Sequence, residues 1–143
     1  MFDRIFSDYT IGETWQSRGR TITEADLVMF SAFSGDWYPL HTDREWAQTG
    51  PFGQRIAHGM LILSVATGLL TFKSGIVLAF YGIDQARFVK PTYIQDTIHV
   101  ALEVTEKEEK SSGGVLTCAM RIIKQTQDDV MRGAIKILVA KEL

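Results

Sequence analysis

Asp36 and His41 stand five residues apart with Pro39 between them, in the stretch Phe33-Ser-Gly-Asp-Trp-Tyr-Pro-Leu-His41. A carboxylate and an imidazole aimed at one point can take a proton from water and return one at neutral pH. A second stretch, Phe52-Gly-Gln-Arg-Ile-Ala-His-Gly-Met60, leads into an apolar run that reaches Leu70. His58 and Gly59 therefore fall at a helix start. Unpaired backbone N–H groups and the positive end of the helix dipole there suit a carbonyl oxygen that gains charge during a reaction. Gly59 carries no Cβ that would keep a ligand from the backbone. A purely structural reading stands beside this one: Asp36 bonding amides in its own turn, His41 capping the next helix, and His58 packing locally.

Other chemistries are poorly furnished. No Gly-x-Ser-x-Gly elbow surrounds Ser34 or Ser64, and no glycine-rich phosphate loop is present. His41, Asp43 and Glu45 lack any recognised ligand spacing, so no metal is expected. Cys118 is the only cysteine, which rules out an internal disulfide, and it sits in an alternating segment where a small core residue is expected. His99 falls on the polar face of a strand. The formal charge is −2 with dispersed basic residues, which predicts neither a nucleic-acid partner nor an anionic membrane surface. The run from Met60 to Leu70 is short of the ~20 apolar residues that span a bilayer, and so reads as a helix buried in a core. The start, Met1-Phe-Asp-Arg-Ile-Phe, has no signal-peptide character, and a cytoplasmic location is expected.

The elements that must hold these residues can be read from the same sequence. Thr23 and Asp26 fit a capped helix start, with Leu27, Phe30 and Phe33 as its inner face and Gly35 as its stop. Thr42-Asp-Arg-Glu45 fits a capping box for a second short helix, with Trp46 and Ala47 turned inward and Gly50-Pro51 ending it. The apolar helix is expected to run from about Gly59 to Phe72 and to be wholly buried. From Ile76 the period changes to two. A long strand to Lys90 is followed by strands around Ile98–Thr105 and Leu116–Ile122, and by a last one over Val130–Ala140, with an uncertain first strand within residues 9–22. Short turns between them make neighbours antiparallel. The inventory predicts an α+β domain over residues 1–143: a curved antiparallel sheet of about five strands wrapped around one long buried helix.

The two motifs together resemble the hydratase signature of the MaoC-like, (R)-specific enoyl-CoA hydratase and dehydratase family, whose fold is the hotdog. Arg87-Phe-Val-Lys-Pro-Thr-Tyr-Ile-Gln-Asp-Thr-Ile98 is similar to that family's strand segment. The resemblance implies addition of water to a trans-2-enoyl thioester, or its reverse. Asp36 and His41 would be the proton-transfer pair and the Gly59 N–H would polarise the thioester carbonyl. It implies no cofactor beyond the coenzyme A carried by the substrate, and at least a homodimer joined sheet to sheet. Tyr38 stands where the family motif usually has asparagine, and Thr67 where the family often has serine. Trp37, Tyr38, Phe52, His58 and Thr67 are candidate substrate contacts, and Arg55, Arg87 and Lys90 are candidate partners for coenzyme A phosphates. The bulky Trp37, Tyr38, Trp46 and Phe52 suggest a restricted pocket for a short, branched or polar acyl group. Two other readings remain open at this point: an acyl-CoA-binding hotdog without chemistry, and a hotdog thioesterase.

Overall fold

Strict alternation of apolar and polar residues makes one face of each long strand apolar, and that face has to be covered. In the computed structural model, which describes residues 1–142, the alternating segments form β3 (Val77–Phe88), β4 (Thr97–Lys110), β5 (Gly113–Lys124) and β6 (Asp129–Val139). The uncertain first segment resolves into two short strands, β1 (Thr14–Gln16) and β2 (Arg20–Thr21), both paired with β4. The sheet is entirely antiparallel in the order β1-β4-β5-β6-β3, with β2 also on β4. It counts six strands, in line with the expected five or so, because the regular ladder on β4 breaks between Gln16 and Arg20, where Ser17 stays bonded to Val100. Irregular pairing at Val104/Glu106 and Ile122/Ile123 adds the local twist that lets long strands curve.

Four helices precede or interrupt the strands: α1 (Glu24–Ser34), α2 (Pro39–Thr42), α3 (Arg44–Gln48) and α4 (Gly59–Leu69). The inner face of the sheet, including Ile98, Val100, Leu102, Ile122 and Ile135, closes over Leu61, Ile62, Leu63, Ala66 and Leu69 of α4. This is the hotdog arrangement. The helix is not wholly buried, however: Met60, Ser64 and Gly68, at four-residue spacing, remain exposed because the sheet covers only one side. It also stops at Leu69 rather than Phe72. The backbone of Phe2 exchanges hydrogen bonds with Thr71 and Lys73 and draws residues 70–73 out of the helical path.

The capping box of α1 forms as expected, with the Thr23 hydroxyl accepting from Asp26 N–H and the Asp26 carboxylate accepting from Thr23 N–H. Its inner face differs: Leu27 and Ser31 are buried, while Phe33 is 90% exposed. At about 3.6 residues per turn, Phe33 lies two-thirds of a turn round from Leu27, whereas Ser31 lies almost beneath it. Asp43, not Thr42, caps α3, accepting from Trp46 N–H at 2.9 Å, since Thr42 belongs to α2. Ala47 is buried as expected and Trp46 is exposed.

Among the described residues β3 pairs on one side only, with β6. Its free edge carries Leu78, Phe80, Tyr81 and Ile83, all more than a third exposed. No described helix is long and apolar enough to cross a membrane. Core burial by the curved sheet is what holds α4 in place. Ile122→Ala should therefore cost about 2–5 kcal/mol in urea unfolding, with the m-value unchanged.

Candidate active site

Three pieces of chain meet at the N-terminus of α4: the α1–α2 loop with Asp36, the turn of α2 with His41, and the segment Ile56–Gly59. The loop is fixed by local bonds. Gly35 adopts φ 79°, a left-handed conformation that glycine accepts without strain, and donates to the Ser31 carbonyl. The Asp36 N–H donates to Ser34 Oγ at 3.1 Å, and the Asp36 carboxylate accepts from Tyr38 N–H at 3.1 Å. Pro39 opens α2, where its missing N–H costs nothing. The Thr42 hydroxyl lies 2.9 Å from the Trp37 carbonyl and 3.2 Å from that of Tyr38. It ties the α1–α2 loop to α2 at Trp37 and Tyr38. The Tyr38 ring packs against Trp46, 5.7 Å between centroids, and edge-on to His41 at 6.2 Å.

His41 is oriented by its Nδ1, which lies 2.7 Å from the Ile56 carbonyl. A carbonyl can only accept, so Nδ1 carries the hydrogen and Nε2 keeps its lone pair for a reacting group. Ile56 is itself pinned, donating to the Leu40 carbonyl, and Ala57 N–H donates to the Thr92 carbonyl at 2.8 Å. The segment carrying Thr92 rests on a buried ion pair: Lys124 Nζ donates to the Pro91 carbonyl and to Asp96, both at 3.1 Å. Burial alone would raise the Asp96 carboxyl, but hydrogen bonds from Gln125, Tyr93 N–H and Lys124 more than offset it and hold it below its ordinary value.

His58 is almost fully buried, 2% exposed, and its ring stacks on His41 at 3.9 Å with 25° between planes. Its Nε2 lies 3.1 Å from both Ser31 Oγ and the Asp36 carbonyl. The carbonyl again assigns the hydrogen, here to Nε2. Burial is the main force lowering the His58 pKa, with proximity to His41 adding to it against the bond to the Asp36 carbonyl. The donor atoms of Asp36, His41 and His58 lie within 4.8 Å of one another. One nitrogen of each ring is already hydrogen-bonded to a backbone carbonyl. Asp43 and Glu45 do not join this cluster, the first capping α3 and the second paired with Arg44.

Beside His41 lies a cavity of about 140 Å³, lined by Gly59, Ile62, Phe88, Thr92 and Val130 among others. A Cβ on Gly59 would stand 2.8 Å from the Phe88 ring. A side chain at Gly59 would have to displace the half-exposed Phe88 ring, and the Gly59 N–H, first in the helix, has no carbonyl within the helix to bond.

Residues 7–125 match the family model described as the MaoC like domain. The chain belongs to the MaoC-like dehydratase family. It is 37% identical over 111 residues to Protein MaoC of Klebsiella aerogenes, a match covering 76% of this chain and 33% of that much longer protein. It is 31% identical over 130 residues to the (R)-specific enoyl-CoA hydratase of Rhodospirillum rubrum, covering 88% of this chain and 90% of the relative. The structure of a monoamine oxidase regulatory protein from Archaeoglobus superposes with a TM-score of 0.91 at 35% identity, covering 99% of this chain and 97% of the other.

Within this MaoC-like domain the structure brings Asp36, His41, His58 and Gly59 together, with Tyr38 at the edge. Trp37, next to Asp36 in the loop, is exposed, and so is Phe52. Thr67 lies elsewhere: two turns further along α4, its hydroxyl is bonded to the Ser64 carbonyl at 2.7 Å. Arg55 is engaged with Glu24 at 2.8 Å, tying the loop to the start of α1. Arg87 lines a separate depression on β3 and β6, and Lys90 is paired with Asp128 at the cavity rim. Sequence reasoning missed Ser31, Phe88, Thr92 and the Ile56 carbonyl. The four-residue step from Leu27 could have pointed to Ser31, but a backbone acceptor leaves no trace in residue type.

Because the folded state depresses the His58 pKa, the unfolded chain binds a proton near its ordinary value of 6.5 before the folded one does. The stabilising contribution is complete above that value and is lost as pH falls through the lower folded value. Urea unfolding at pH 7.5 and pH 5 should show wild type losing more stability on acidification than His58→Gln.

Proposed function

We propose that this protein adds water to a trans-2-enoyl-CoA, or removes it from a 3-hydroxyacyl-CoA, by general acid–base catalysis at Asp36 and His41. The observation that carries this reading is the convergence of an exposed carboxylate and an imidazole with a free Nε2 beside an apolar cavity and an unbonded helix N–H. The family acts on acyl thioesters, and relatives such as the Rhodospirillum rubrum hydratase support this choice among hotdog reactions.

In the proposed reaction the water lies between the Asp36 carboxylate and His41. Its oxygen bonds the β-carbon as Asp36 takes a proton, and electron density moves onto the thioester oxygen, which the Gly59 N–H stabilises. As the enolate collapses, that proton passes from Asp36 to the free Nε2 of His41 and from there to the α-carbon, leaving Asp36 again a carboxylate and His41 again neutral. The pair takes one proton and returns one, and so ends unchanged. The bond from His41 to Ile56 keeps the imidazole ready for this role.

The apolar free edge of β3 supports a homodimer in which a second copy continues the sheet. A long, unpaired, hydrophobic edge is otherwise an aggregation site. Phe88 ends that strand and lines the cavity, so the site would lie close to the subunit boundary.

Mixing the protein with crotonyl-CoA should remove the conjugated enoyl absorbance. Asp36→Asn and His41→Ala, both folded, should each lower kcat by about 10²- to 10⁴-fold. Release of free coenzyme A from a saturated acyl-CoA would instead identify a thioesterase. Thermal stabilisation by acyl-CoA without turnover would identify a binding protein. Analytical ultracentrifugation should give a dimer or larger, and a stable active monomer would refute the edge-pairing arrangement.

A further inference from the structure

A hydrogen bond at one ring nitrogen does not fix an imidazole. Together with the Cβ tether, the bond from His41 Nδ1 to the Ile56 carbonyl sets the ring's heading and still lets the ring rock about it. Catalysis from Nε2 needs that rotation stopped, because misplacement by about 1 Å can cost 10²-fold in rate. On one face of His41 the neighbour that can stop it is the flat ring of His58, 3.9 Å away and 25° from parallel.

His58 also reaches the other half of the pair. Its Nε2–H is shared between the Asp36 carbonyl and Ser31 Oγ, each at 3.1 Å. Ser31 is completely buried on the inner face of α1, a position where an aliphatic residue would pack without needing a polar partner. Its hydroxyl gains that partner only through His58. The Phe30 ring, 4.9 Å from the His58 centroid, adds a second contact from α1. One side chain thus joins α1, the Asp36 loop and the start of α4.

We propose that His58, seated by Ser31, is a positioning residue for the proton-transfer pair: its ring face sets the plane of His41, and its ring N–H holds the loop that carries Asp36. This rests on the role proposed above for Asp36 and His41. It makes a specific claim about the resting site. The two stacked rings are opposite tautomers, His41 with its hydrogen on Nδ1 and His58 with its hydrogen on Nε2.

The chain has three histidines, so ring nitrogen spectra of protein labelled with ¹⁵N-histidine are simple to assign by substitution. Wild type at pH 7.5 should show one Nδ1–H and one Nε2–H ring fixed as stated. His58→Gln keeps a donor and loses the stack; the His41 ring, its tautomer still set by Ile56, should then rock about that bond, and its ring signals should broaden. His58→Phe keeps a flat ring and loses the donor, and should leave the His41 signals in place. With crotonyl-CoA, both variants should lower kcat by about 10- to 100-fold with KM nearly constant. Ser31→Ala, which touches His58 but neither member of the pair, should lower it by up to about fivefold. Folded His58→Gln with wild-type kcat and an unmoved His41 spectrum would overturn the proposal and leave His58 as core filling. If wild type fails to hydrate crotonyl-CoA, the hydratase reading is what suffers. The His41 spectrum in His58→Gln still decides the positioning claim, broadened signals supporting it and unmoved ones refuting it.

Discussion

A helix enclosed by a curved sheet must end somewhere, and its first N–H groups cannot be satisfied from within. In this protein the enclosure of α4 brings that end to the mouth of the sheet, where the α1–α2 loop, the α2 turn and the segment following β3 all close around it. The neighbours of the helix start follow from this constraint. The loop needs a left-handed glycine and a proline to turn sharply enough, Ile56 turns its carbonyl towards His41, and Phe88 settles on Gly59 where any side chain would intrude. The site is the place where a packing problem is left open to a ligand.

The electrostatics of the site are those of neutral, oriented dipoles and one carboxylate. Cations that could have filled it are committed elsewhere: Arg55 to Glu24, Lys90 to Asp128, and Lys124 to the buried Asp96. The Lys124 pair acts at a distance, since it anchors the segment whose Thr92 carbonyl holds Ala57, the residue just before His58. Breaking such a pair leaves a buried charge, which makes it a structural fixture and not a tunable surface contact.

What the sequence disclosed depended on how local the responsible interactions are. Asp36 and His41 were legible because one short loop carries both, and the Thr23–Asp26 cap because its two bonds close within four residues. The strands after Ile76 were legible because alternation reflects a single apolar face. The end of α4 was not, because Phe2 reaches it across some seventy residues of chain. The direction of Phe33 depends on which face of α1 meets α4, and Ser31 became a site residue only when the fold placed His58 against it. Arg55 reads from sequence as an unassigned cation, and only the fold sets Glu24 beside it.

Cys118 lies on β5 within the core, completely buried, and burial pushes its thiol up to about 12. A thiolate in contact with an acyl thioester would exchange with it and strip the acyl group onto the protein. The single cysteine of this chain is both sealed from solvent and held in its unreactive form, so the described fold offers an acyl thioester no competing nucleophilic sulfur. Under the proposed function, a substrate built on a labile sulfur bond meets oxygen and nitrogen groups at the mouth of the sheet, while the protein's own thiol is silenced inside it.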